Sequence, residues 1–191
     1  VRRVAWIPRL IKPSPLDWRP AGDRLGFVGT LDHGPNLEGL VQTLDALART
    51  PGPSVRVRVV GGPQELGRWL ADKYGTVDYL GTLDDAALAV EAATWNVFIH
   101  PIFCLPRGCS TKLAIGIAWQ IPIVTTAEGR RGYLWDHGTM PEARDADDFV
   151  RICRTLLDPV AAQEAQREVA RIAHSSPSVA RVADMMCELL A

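Results

Sequence analysis

Short β-branched runs alternate along this chain with longer amphipathic runs, and that alternation limits its fold more than any other feature. The first run, Leu25-Gly26-Phe27-Val28, ends at Gly29-Thr30. After a loop from Leu31 to Pro35, Asn36 is expected to cap a helix, with Leu37, Leu40, Val41, Leu44 and Leu47 on one face. Pro51-Gly52-Pro53 stops it. Val55 to Val60 is the next strand, closed by Gly61-Gly62, and Pro63 suits the first turn of a helix reaching about Tyr74. Val77 to Leu80 is a short strand, after which Asp84 or Asp85 caps an alanine-rich helix to about Ala93. Asn96 to His100 is a strand, Ser110 to Gln120 a helix, and Pro122 to Thr126 a buried strand with its proline at the start. From Asp145 onward the pattern is helical, in three segments. The last, Ser178 to Leu190, carries Val179, Val182, Met186 and Leu189 on one face.

Strands that alternate with helices require β-α-β crossovers and a parallel sheet covered on both faces. The expected fold is therefore α/β, a doubly wound, Rossmann-like parallel sheet. Such sheets bind ligands at the carboxyl ends of their strands. That rule selects the loops after Gly29, Gly61, Gly81, His100 and Thr126. The first 22 residues, with Pro8, Pro13, Pro15 and Pro20, read as a linker plus one edge strand, Val4 to Ile7.

Composition narrows the partners. The 191 residues carry 21 basic and 22 acidic side chains, a net charge of -1, so no electrostatic reason exists to expect nucleic acid. No run approaches the roughly 18 apolar residues that a membrane span requires. Peripheral membrane association is left open. Cys104, Cys109, Cys153 and Cys187 form no C-x-x-C pair and read as free thiols of a reducing compartment, the cytoplasm. Basic residues at Val1-Arg2-Arg3 have no long apolar run behind them, which argues against a secretory signal. A start at Val1 rather than Met suggests a piece of a longer protein.

Chemistry concentrates in the stretch from Pro101 to Leu113, which follows a buried strand and opens a helix. Arg107 and Lys112 bring two cations to that junction. Ser110 and Thr111 bring hydroxyls, and Gly108 lets backbone approach a ligand. With the free N–H groups of the helix start, these form an anion site suited to phosphate or diphosphate. The competing reading is a solvated Arg and Lys beside a capped helix. Gly29-Thr30 faces the same edge, as a ligand contact or simply a tight turn. Thr125 to Gly132, with hydroxyls, two glycines and two arginines, is either a phosphate or sugar contact or a polar loop. Neither a complete G-x-G-x-x-G nor a G-x-x-x-x-G-K-[ST] is present. The four histidines have no metal-ligand spacing, and His100 reads as a packed residue at the edge of the core. Cys109 reads as a small packing residue, and the six tryptophans, spread singly, make no stacking platform.

Taken in order, these segments resemble the second half of a GT-B glycosyltransferase of family 4, the glycosyl transferases of group 1. Phe27 to Asp32 with Pro35 to Leu40 resembles its opening. Val59 to Pro63 and Val77 to Asp85 resemble its second and third strands with their turns. Asn96 to Pro101, Arg107 to Leu113 and Pro122 to Thr126 resemble its sugar-nucleotide site. The resemblance implies a donor-binding domain at 23–160, preceded by the linker at 1–22. Helices at 161–191 would pack on it or back towards an N-terminal acceptor half that this chain lacks. It implies sugar transfer from a UDP- or GDP-linked donor with retention, no cofactor and no bound metal. Arg107 and Lys112 would stabilise the leaving diphosphate. Gly29, Thr30 and Gly108 would lie against phosphate or sugar, Thr82 and Leu83 would meet the base, and Ser110, Thr111 and Thr126 would be supporting donors.

Some positions depart from the family pattern. Of its two glutamates eight positions apart, the first is Arg107 here and the second, which bonds ribose, is Ile115. Gln120 stands where a glycine is usual, and Thr30 and Pro35 replace the Arg and Lys of other branches. Ile115 motivates an alternative, a degenerate binding or scaffold module. A 2-epimerase of the same architecture fits the motif order less well.

Overall fold

In the computed structural model, residues 8–104 and 108–190 are described. The five expected strands form as β1 (Arg24–Val28), β2 (Arg56–Val60), β3 (Val77–Gly81), β4 (Val97–Ile99) and β5 (Ile123–Thr126). A two-residue strand, β6 (Glu142–Ala143), pairs with β5 through Thr125 and Thr126 and was not expected. Two residues with one buried side chain carry no period to detect. All the pairs are parallel, in the order β3-β2-β1-β4-β5-β6. The chain thus steps outward from β1 to β3, then returns to place β4 on the other side of β1. The crevice between the carboxyl ends of β1 and β4 is the switch point at which doubly wound sheets bind ligands.

The helices are α1 (Gly34–Arg49), α2 (Gln64–Lys73), α3 (Asp85–Ala92), α4 (Thr111–Trp119), α5 (Ala127–Arg130), α6 (Ala146–Thr155), α7 (Pro159–Ser175) and α8 (Val179–Leu190). One core cluster holds Phe27, Leu40, Leu44, Leu70 and Phe149. The other holds Trp95, Phe98, Leu113, Ile117 and Ile172. Helices lie over both faces, which explains why Val57, Val97, Ile123 and Val124 are all fully buried. Trp95, Phe98 and Trp119 form an aromatic cluster with ring centroids 6.1 to 6.3 Å apart. It fits against the sheet because β1 carries Gly26, where a Cβ would lie 1.7 Å from the Trp95 ring.

Side-chain caps mark several helix starts, that of Asp84 as expected. Asp84 accepts from Ala87 N–H and Asp145 from Asp148 N–H. Two expectations are corrected. Asn36 is not the cap of α1; His33 holds that position, Pro35 sits in the first turn, and Asn36 is already helical. Pro63 is the residue before α2, not part of its first turn. Gln120 ends α4 in the left-handed region, φ 55° and ψ 41°, the conformation that makes glycine usual there.

Residues 8–23 form no helix or strand, and their backbone is tied to the amino edge of the sheet. Ser14 N–H donates to Ala118 O at 2.8 Å, and Arg19 N–H to Ala93 O at 2.8 Å. Asn96 Oδ1 accepts from Gly22 and Arg24 N–H at 2.8 and 3.1 Å. The edge strand expected at Val4 to Ile7 lies outside the described residues. α7 runs through position 160, where a boundary was expected. Its Val169, Ile172 and Ala173 are buried in the same core as Phe98 and Ile117. In α8, Val182 is buried, whereas Val179 and Met186 are exposed. Among the described residues no helix is long and apolar enough to cross a membrane.

Candidate functional site

Close backbone packing builds the crevice. Gly61 has φ +136°, and a Cβ on it would lie 1.9 Å from Gly29 O, so the turns after β1 and β2 touch directly. Gly29 N–H donates to Val60 O at 2.9 Å and Leu31 N–H to Gly62 O at 2.6 Å. A Cβ on Gly39 would lie 1.7 Å from Pro101 O, so its absence lets α1 press against the loop after β4. Asn36 is 3% exposed, and its Nδ2 donates to Thr30 O at 2.7 Å, which fixes the loop between β1 and α1.

A cleft of about 480 Å³ opens at this edge, lined by Thr30, His33, Asn36, Ser110, Thr111 and Lys112. The amino ends of α1 and α4 both meet it, and neither has a side-chain cap bond. Unsatisfied N–H groups and the positive end of each helix dipole therefore face one space. One carboxylate, Asp32, shares the lining.

Lys112 supplies the charge. Its stem crosses Gly29 so closely that a Cβ there would lie 2.5 Å from Cε. Nζ lies 5.7 Å from the Phe27 ring centroid. Among the described residues no hydrogen bond or ion pair engages this ammonium. Burial alone lowers its pKa from 10.5 to about 8. An unpaired cation in such a place lacks the partner that a purely structural charge would have.

Behind the lysine lies a buried polar chain. His100 is 1% exposed, with Nδ1 2.9 Å from Thr125 Oγ1 and Nε2 2.8 Å from Ser110 Oγ. Burial first, then the Lys112 charge, lowers the His100 pKa to about 3, so the ring is neutral near pH 7.

Lys112, Thr30, Ser110 and Thr111 come together as the sequence predicts, with Gly29 directly beneath the lysine. Gly108 takes φ +72°, and its carbonyl accepts from Arg131 Nη2 at 2.9 Å. Arg107 lies outside the described residues. Thr82 reaches the Gly61-Gly62 turn, its Oγ1 3.9 Å from where a Gly62 Cβ would stand. Leu83 lines a different apolar groove with Ala87 and Val90. Thr126, expected as a supporting donor, is fully buried: its hydroxyl donates to Ile102 O and caps α5 by accepting from Gly129 N–H, so its one proton is already engaged. Arg130, expected near phosphate or sugar, pairs with Glu142 at 2.5 Å and lies over Trp135. Ile115 is 38% exposed, one turn beyond Lys112. His33, Asn36 and His100 were not singled out from sequence as site residues. Spacing signals none of them, because each reaches the site through a partner distant in sequence or through a helix start placed three residues too late.

Residues 22–159 match the family model of the glycosyl transferases group 1. No functionally curated protein matches in sequence. Among solved structures, the chain is similar to Anabaena HepE in complex with UDP and glucose, at 18% identity and TM-score 0.66, over 89% of this chain and 48% of that one. It is similar to the lipopolysaccharide outer core galactosyltransferase WaaB, at 15% identity and TM-score 0.65, over 98% and 55%. It is also similar to TarM, at 12% identity and TM-score 0.72, over 96% and 38%. The chain therefore spans about half or less of the length of these structures.

Proposed function

The chain belongs to the glycosyl transferases of group 1, and on that premise we propose that it is the donor-binding half of a GT-B glycosyltransferase, taking a UDP- or GDP-linked sugar. The observation that carries this reading is Lys112, a half-buried cation with no hydrogen bond or ion pair among the described residues, beside two uncapped helix starts at the switch-point crevice. A diphosphate is the ligand that such a place favours. Its oxygens accept from backbone N–H groups and hydroxyls, and its charge offsets the desolvated ammonium. As the bond between sugar and diphosphate breaks, negative charge grows on the leaving nucleotide. Lys112, with Arg107 from the preceding loop, would stabilise that charge more than it stabilises the bound donor, the requirement for lowering a barrier. In this reading no metal takes part and the configuration at the sugar is retained. Thr82, and Leu83 beside it, are assigned to the base side. An acceptor-binding N-terminal half completes the enzyme, as the partial span against HepE, WaaB and TarM supports. The four cysteines are all free, which fits the cytoplasm.

Ile115 favours a second reading, a GT-B-like binding or scaffold module without turnover. Its exposed apolar side chain offers ribose no hydrogen bond. Calorimetry of the chain with UDP, GDP and their sugars separates the two. Binding of one nucleotide series, lost in Arg107→Ala, supports the donor site. No heat with any nucleotide supports the module.

A further inference from the structure

Ser110 sits at the amino end of α4 yet caps nothing, because its hydroxyl faces His100. With an anion in the cleft, the protons of the buried chain can be assigned. A neutral imidazole has one donor and one acceptor nitrogen. Thr125 has one hydroxyl proton and two acceptors in reach, His100 Nδ1 at 2.9 Å and His100 O at 3.4 Å. Two arrangements keep both ring contacts: Nδ1–H donating to Thr125 Oγ1 with Ser110 donating to Nε2, or Thr125 donating to Nδ1 with Nε2–H donating to Ser110 Oγ. An anion in the cleft selects the second, because only then is the Ser110 proton free to reach it. With Thr125 donating to Nδ1, the ring proton must be on Nε2, where it donates to Ser110 Oγ at 2.8 Å. Ser110 then cannot return its own proton to the ring. That proton turns into the cleft which Ser110 lines beside Lys112.

We infer that His100 is a positioning residue whose Nε2–H tautomer holds Ser110 as a hydrogen-bond donor to the bound anion. The relay runs one way: Thr125 O–H to Nδ1, Nε2–H to Ser110 Oγ, Ser110 O–H to a phosphate oxygen. Donors aligned in one direction polarise one another, so the last bond is stronger than that of an isolated serine. The opposite tautomer would take the Ser110 proton and leave lone pairs facing an anion. Gly129 keeps the relay packed: a Cβ on it would lie 2.5 Å from Thr125 Oγ1 and 2.8 Å from His100 Nδ1. No covalent step is involved.

The inference rests on the donor-site reading, and two measurements separate them. Nitrogen NMR of the chain saturated with pyrophosphate is expected to show His100 protonated on Nε2 and bare on Nδ1. Calorimetry with UDP and with inorganic pyrophosphate is expected to show about tenfold weaker binding in Ser110→Ala and in His100→Met, with the double variant no weaker than either. His100→Gln, whose amide N–H can replace Nε2–H, should recover most of the affinity. A proton on Nδ1 overturns the relay, as does wild-type affinity in folded Ser110→Ala. Ser110→Ala and the NMR decide the matter even if His100→Met does not fold. Wild-type protein that binds neither probe overturns the donor-site reading itself.

Discussion

Two charged regions of this domain are built on opposite plans. On β2, β3 and α3, Arg56 and Arg58 both pair with Asp78, and Arg58 also pairs with Glu91 at 2.7 Å. Glu91 accepts from Trp95 Nε1 as well, at 2.9 Å. Pairing raises the arginine pKa values and lowers those of Asp78 and Glu91, so each charge is favoured by the fold. At the crevice, Lys112 is half-buried with no hydrogen bond or ion pair among the described residues, and its pKa falls. A network closed on itself has no free valence for a ligand. A cation held open at the strand ends has little structural reason to be there, and the proposed donor site rests on it.

Reciprocal substitutions give the largest effects. Lys112→Met should weaken UDP binding by about a hundredfold in calorimetry, the cost of a charge-assisted contact, while raising the melting temperature by removing an unpaired cation. Arg58→Met should leave UDP affinity unchanged and lower stability by about 2 kcal/mol in urea denaturation. That figure lies below the cost for fully buried pairs because the Arg58 and Glu91 side chains are 17% and 15% exposed. Loss of stability in Lys112→Met, or of binding in Arg58→Met, would break the contrast.

Opposite pH dependence follows at intermediate size. Between about 8 and 10.5 the folded chain holds fewer protons at Lys112 than the unfolded chain. Stability of the ligand-free chain should therefore rise across that interval, while affinity for pyrophosphate falls as the ammonium is lost. The paired region acts at the acid end. Asp78 and Glu91, ordinarily at 3.8 and 4.5, are lowered, so their contribution is present above those values and is lost as pH falls through and below them. His100, lowered from 6.5 to about 3, adds a loss of stability across that interval. Denaturation and pyrophosphate titration at matched pH values test both signs.

The smallest expected effect sharpens the contrast at one site. Ile115→Glu sets a carboxylate one turn from Lys112 at a position already 38% exposed, so stability should change little. UDP affinity should rise a few-fold through ribose bonds, with pyrophosphate affinity unchanged. Calorimetry in which both ligands change alike would show that the new carboxylate acts on Lys112 instead.

Periodicity settled much of this molecule before any contact was known. Five strands, the helices between them, the Asp84 cap and the candidate edge for a ligand all follow from local pattern, because hydrophobic spacing and capping act over a few residues. Lys112, Ser110 and Thr30 were legible because a loop that opens a helix at that edge brings them there. Other features depended on neighbours distant in the chain. β6 exists only because β5 offers it an edge. The Thr126 hydroxyl is engaged by Ile102 O, and Arg130 is paired with Glu142. His100 becomes part of the site only where β4, β5 and the start of α4 converge. Tertiary packing alone decided that Lys112 is half-buried with no hydrogen bond or ion pair among the described residues, because burial and pairing belong to the assembled crevice and to no segment of the sequence.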